Sequence, residues 1–95
     1  MKTLTALFLL LPLTANAASL EFCAMYAETA GKIMTSRQLG ASMITVMEIA
    51  KDDPLLTEMT KRAYKEPRWS TEENRQKAIQ DFTNDFTSQC LEAGE

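Results

Sequence analysis

Apolar residues recur at helical spacing along most of the chain. Leu20, Cys23, Ala27, Ala30 and Met34 follow one another at steps of three and four, which places them on one face of a helix. Ser19 offers an N-cap and Gly40 a left-handed stop, so a first segment is predicted from Ser19 to about Gln38. Gly31, inside it, lowers helix propensity but leaves room for a neighbour to approach. Met43, Val46, Met47 and Ala50 form the stripe of a second segment, which starts at the cap Ser42 and ends near Asp52. Asp53-Pro54 reads as an N-cap followed by proline at the first helical position. A third segment then covers Leu55 to about Lys65, with Leu55, Leu56, Met59 and Ala63 on its inner face. Pro67 closes it and drives Glu66 toward an extended conformation. In the last segment, which runs to about Glu92, Ser70 as cap and Glu73 three residues on have capping-box spacing. Ile79, Phe82, Phe86 and Cys90 mark its buried face. No stretch alternates with the period of a strand. The pattern predicts an all-α fold: a small four-helix bundle, two long helices flanking two short ones.

The start of the chain follows a different rule. Met1-Lys2-Thr3 carries one positive charge, Leu4 to Leu13 is an uncharged apolar run, and Ala15-Asn16-Ala17 supplies small residues. These three parts in this order form a cleavable secretory signal. The apolar run spans about ten residues, half of what a bilayer requires. The predicted organisation is therefore a signal peptide over residues 1–17 and a single helical domain over 18–95. Cys23 is preceded by Leu20-Glu21-Phe22, too bulky and charged for a lipoprotein cleavage point. No second apolar segment of spanning length follows, so no membrane span is expected in the processed form. The short signal points to a bacterial host and the periplasm.

Cys23 and Cys90 are the only cysteines. In an oxidising compartment such a pair forms a disulfide, and a domain this short gains from a covalent tie. In the chain-entropy picture, closing so long a loop stabilises by about 4 kcal/mol. A redox pair is the alternative, but the adjacent CxxC spacing is absent. Each cysteine lies on the apolar face of its own helix. Antiparallel packing of the first and last helices brings the two together.

Composition narrows the chemistry. The chain has 95 residues, 45% hydrophobic and 24% charged, too apolar for a disordered segment. Its net charge is −3, more negative still once Lys2 leaves with the signal. Nucleic-acid binding needs a basic surface instead, so no nucleic-acid partner is expected. The sequence has no histidine, which removes the commonest general base and any serine triad. Met25, Met34, Met43, Met47 and Met59 offer thioethers that bind Cu(I), but thioethers also fill irregular cores. Core packing is the reading taken, with no metal or other cofactor expected. Asp81 and Asp85, one turn apart, read as exposed helical carboxylates. The chain is read as not an enzyme.

The most distinctive stretch is Lys61-Arg62-Ala63-Tyr64-Lys65-Glu66-Pro67-Arg68-Trp69. It sets cations beside two aromatics at the turn between the third and fourth segments, and Tyr, Trp and Arg anchor many protein interfaces. Tyr64, Arg68 and Trp69, with Arg37 near Gly40, are the candidate partner-binding residues. The competing reading has Tyr64 and Trp69 capping a small core while the cations stay solvated. For Arg37 it is a cation complementing a helix C-terminal dipole.

Cys23, the run Arg37-Gln38-Leu39-Gly40-Ala41-Ser42, the run Ala63-Tyr64-Lys65-Glu66-Pro67-Arg68-Trp69-Ser70-Thr71-Glu72, and Cys90 form one pattern. In it the chain resembles a group of short exported proteins of proteobacteria and their phages. The likeness covers nearly the whole domain and implies a bacterial or prophage origin. It brings no activity and transfers no catalytic or binding residue. A looser likeness links the chain to acid-stress periplasmic chaperones, which are also small, helical and closed by one disulfide. That likeness is architectural, without a shared motif. The functional expectation is a periplasmic interaction module for another protein or an envelope component. The alternative is a stress holdase.

Overall fold

In a computed structural model, the backbone is described for residues 2–94 and side chains for residues 20–93. Four helices follow in order: α1 (Lys2–Gln38), α2 (Met43–Ala50), α3 (Pro54–Ala63) and α4 (Glu72–Gly94). No strand occurs among the described residues. The all-α bundle of two long and two short helices is as the periodicity predicts. The side chains of the predicted export signal, residues 1–17, lie outside the described residues. The backbone of residues 2–17 belongs to α1, which runs without a break from Lys2. The backbone of Ser19 therefore lies inside that helix and not at its start, where the sequence places a cap.

Local signals set most other boundaries. The Ser42 hydroxyl oxygen accepts the Thr45 N–H at 3.2 Å. An Asp53 carboxylate oxygen accepts the Leu55 N–H at 2.9 Å, with Pro54 in the first turn. At the other end of α1, Gly40 adopts φ +93°. The Ala41 N–H reaches back to the Ser36 carbonyl at 3.0 Å and the Gly40 N–H to the Arg37 carbonyl at 3.1 Å. This paired closure ends a helix on a left-handed residue. The start of α4 differs from the prediction by one residue. Thr71, not Ser70, is the cap, its hydroxyl oxygen accepting the Asn74 N–H at 3.2 Å. The cause lies upstream, where Arg75 donates from Nε to the Trp69 carbonyl at 3.0 Å and holds the preceding backbone out of the helix.

α4 packs along α1, α3 crosses α1, and α2 rests mainly on α3. The Cys23–Cys90 disulfide joins the outer helices at a Cα–Cα distance of 5.6 Å across a sequence separation of 67. The core lies where they meet: Ala30, Ile33 and Met34 of α1, Met59 and Ala63 of α3, Phe82 and Phe86 of α4, with Val46 from α2. Close approach of α1 and α4 depends on Gly31, where an added Cβ would stand 2.7 Å from the Thr83 hydroxyl. Phe86 packs at 4.9 Å from the Phe82 ring and at 5.6 Å edge-on from Tyr26.

Some predicted core positions face outward. Leu20 is 58% exposed, Leu55 48% and Met43 40%. Leu20 lies one turn before the disulfide cysteine of α1. Leu55 occupies the first turn of α3, where the helix begins at the surface. Among the methionines, Met34 and Met59 are fully buried and Met25 is exposed. Asp81 is on the surface of α4, paired with Lys77 at 2.9 Å, and Asp85 is exposed on the same helix.

Candidate functional site: the interlocked end of the bundle

The two segments that stand out in the sequence, around Arg37 and around Tyr64 to Trp69, meet at one end of the molecule. The join is built on Gln38. This side chain continues the buried stripe of Ala30 and Met34, one turn further along α1, and is 1% exposed. A polar group so placed must find partners or lose the hydration it gave up. Gln38 finds them in the connection between α3 and α4. Its Nε2 donates to the Pro67 carbonyl at 2.9 Å, and its Oε1 accepts the Trp69 N–H at 2.9 Å. Among the described residues no buried side-chain nitrogen or oxygen lacks a partner.

Three further side chains close the same join. Arg37 donates from Nε and Nη2 to the Glu66 carbonyl at 3.1 and 3.0 Å. Its guanidinium lies 5.1 Å from the centre of the Tyr64 ring. Tyr64 donates its phenolic O–H to the Ala41 carbonyl at 2.6 Å. Burial pushes the Tyr64 phenol above its ordinary pKa of 10.0, while Arg37 pulls the other way. Arg68 donates from Nε to the Gln38 carbonyl at 3.2 Å, satisfying a group that the end of α1 leaves open. Its guanidinium lies against Gly40, where a Cβ would come within 2.8 Å of Nη2. Gly40 is thus required both for its backbone conformation and for the space Arg68 occupies.

Arg37, Tyr64, Arg68 and Trp69 are brought together, as a partner site would require. Hydrogen bonds from Arg37, Tyr64 and Arg68 to main-chain carbonyls hold the connection against the end of α1. Trp69 differs. Its backbone is locked, but the residue is 42% exposed. Two exposed apolar side chains that the motif reading passed over flank the end of α1: Leu39, 71% exposed, just after the helix, and Ile44, 75% exposed, in the first turn of α2. Both lie off the buried helical stripes, and that position was the available sign. Gln38 was missed for a related reason. A glutamine ending an apolar stripe signals a buried polar contact only if its partner is known.

Beside this end, α3 and α4 diverge around an open groove of about 610 Å³. Phe82 forms part of its floor and Trp69 part of its wall. Arg62 bridges the helices, with its guanidinium 4.3 Å from the Phe86 ring centre and Nη1 donating to Gln89 Oε1 at 2.8 Å. Among the described residues, no group of three or more Cys, Asp or Glu is placed to hold a metal ion.

No protein-family model matches this chain, and comparison with curated proteins and with solved structures likewise finds no match.

Proposed function

We propose that the protein is an exported, non-enzymatic interaction module of the bacterial periplasm. It binds another protein or an envelope component through the end of the bundle where α1 meets the α3–α4 connection. One observation carries this reading. Leu39, Ile44 and Trp69 stand exposed on a backbone that Arg37, Gln38, Tyr64 and Arg68 fix in place. Apolar anchors on a rigid frame lose little entropy when a partner arrives. Export is supported by the N-terminal pattern, by the resemblance to short exported proteins and by the disulfide, which suits an oxidising compartment. Among the described residues, no helix is long and apolar enough to cross a membrane.

Crosslinking in the native host followed by affinity recovery tests the reading. Wild-type protein is compared with a Leu39→Ser/Ile44→Ser variant, whose frame is intact. Loss of a partner with the variant supports the site, and equal recovery by both forms rejects it.

A holdase remains the second reading, favoured by exposed Phe22, Met25 and Ile49 elsewhere on the surface. It requires suppression of client aggregation at low pH. The ion pairs among the described residues join side chains three or four residues apart, at least one of each pair largely solvent-facing. They provide no buried pair for acid to break.

A further inference from the structure

We propose that Cys90 is a site of reversible S-thiolation, where a small external thiol of the glutathione type opens the bond to Cys23 and stays on the end of α4. The bond joins two sulfurs in unlike settings. Cys23 is 1% exposed and belongs to the buried stripe of α1 that continues through Ala27 and Ala30. Cys90 is only half-buried, and α4 ends shortly after it, at Gly94. The inner side of the bond is closed by aromatic rings. Tyr26 lies one turn after Cys23 and Phe86 one turn before Cys90, and the two rings meet edge-on at 5.6 Å. They span α1 and α4 just inside the tie, so an incoming group reaches the bond from the end of α4.

Exchange runs by attack of a thiolate on one sulfur of a disulfide, in line with the bond, while the other sulfur leaves. Attack on Cys23 has to pass the packed face of α1. Attack on Cys90 does not. The new bond joins the incoming sulfur to Cys90 Sγ and the Cys23–Cys90 bond breaks. Its electron pair stays on Cys23 Sγ, which takes up, by way of water, the proton that the external thiol gave up. One thiol is consumed and one is released, so the step needs no oxidant. The product favours the same sulfur as the approach does, because the adduct has room at the end of α4 and Cys23 is covered. Burial disfavours the thiolate of Cys23, which makes the opening slow. The reverse step is intramolecular. The packing of α1 on α4 keeps Cys23 beside Cys90, so the tie closes again and expels the small thiol once that thiol is withdrawn.

Peptide mapping tests this on oxidised protein expressed from the full chain and purified as the cell processes it. The protein is exposed to glutathione at neutral pH, quenched with acid at early times, and the mixed disulfides are located by mass spectrometry. Circular dichroism establishes that the starting protein is folded. The adduct is expected on Cys90 in preference to Cys23 by about tenfold or more. In guanidinium, where the fold no longer covers Cys23, the two cysteines should carry it almost equally. An even division in the folded protein overturns the proposal, as does a preference for Cys23. A Cys90 preference that persists unchanged in guanidinium overturns it too, since the fold would then not be its cause. Folded protein that takes up no glutathione overturns it as well. The reading of Leu39, Ile44 and Trp69 as a partner surface does not enter this experiment, so the two fail separately.

Discussion

Gln38 holds the backbone of Trp69, thirty-one residues further along, through a 2.9 Å hydrogen bond from the Trp69 N–H to its side-chain oxygen. The other end of the same amide holds the Pro67 carbonyl. One buried side chain thus fixes the path of the connection between α3 and α4. Replacing it with alanine leaves a donor and an acceptor unpaired and opens a small void, at a cost of about 2–4 kcal/mol. Ile44→Ser, at an exposed position, should change stability by less than about 0.5 kcal/mol. Urea denaturation of the two variants measures the contrast. Equal effects would mean that Gln38 is not the keystone of this end.

Gly31 faces Thr83 across the α1–α4 contact. Its prediction has a sign that depends on the background. With Thr83 present, Gly31→Ala should destabilise by about 1 kcal/mol or more, because the new methyl meets a hydroxyl that is held on the Ile79 carbonyl at 2.8 Å. With Thr83→Ala, the same change should stabilise by about 0.5–1 kcal/mol, since only the helix-propensity gain remains. A thermal-melt double-mutant cycle reads both. Stabilisation in both backgrounds would show that the two helices do not approach so closely.

Tyr64 links the join to alkaline pH. Burial raises its pKa in the fold, so the folded state favours the protonated phenol. That contribution is present in full below the ordinary phenol pKa of 10.0 and is lost as the pH climbs from there through the raised value. Tyr64→Phe removes the bond to the Ala41 carbonyl, which should cost about 1 kcal/mol at neutral pH. It should also flatten the loss of stability above pH 10 relative to wild type. Parallel alkaline curves for the two proteins would contradict this.

The disulfide ties the start of the packed part of α1 to the end of α4. Reduction should destabilise by about 4 kcal/mol, a fall in Tm on the order of 15–30 °C for a domain of this size. Calorimetry with and without reductant decides it, and an unchanged Tm would remove the tie from any account of stability.

What the sequence made legible was whatever depends on local periodicity and caps. The Cys23, Ala27, Ala30, Met34 stripe is buried, Ser42 and Asp53 cap their helices, and the antiparallel outer helices follow from two cysteines on apolar faces. Features set by contacts across the chain were hidden. Thr71 displaces Ser70 as the cap of α4 because Arg75 and Gln38 hold the residues before it. Arg37 and Arg68 reach carbonyl oxygens about thirty residues away. Spacing along one helix carries no record of such partners.

On the proposed reading this end of the bundle separates two roles: polar side chains lock the frame while Leu39, Ile44 and Trp69 meet a partner. Photo-crosslinking in the native host tests it most directly, with a light-activated residue at Leu39 and, as a control, at exposed Lys32 on the same helix. A discrete adduct from position 39 and none from position 32 is the predicted result. No adduct from position 39, or the same adducts from both positions, would contradict it.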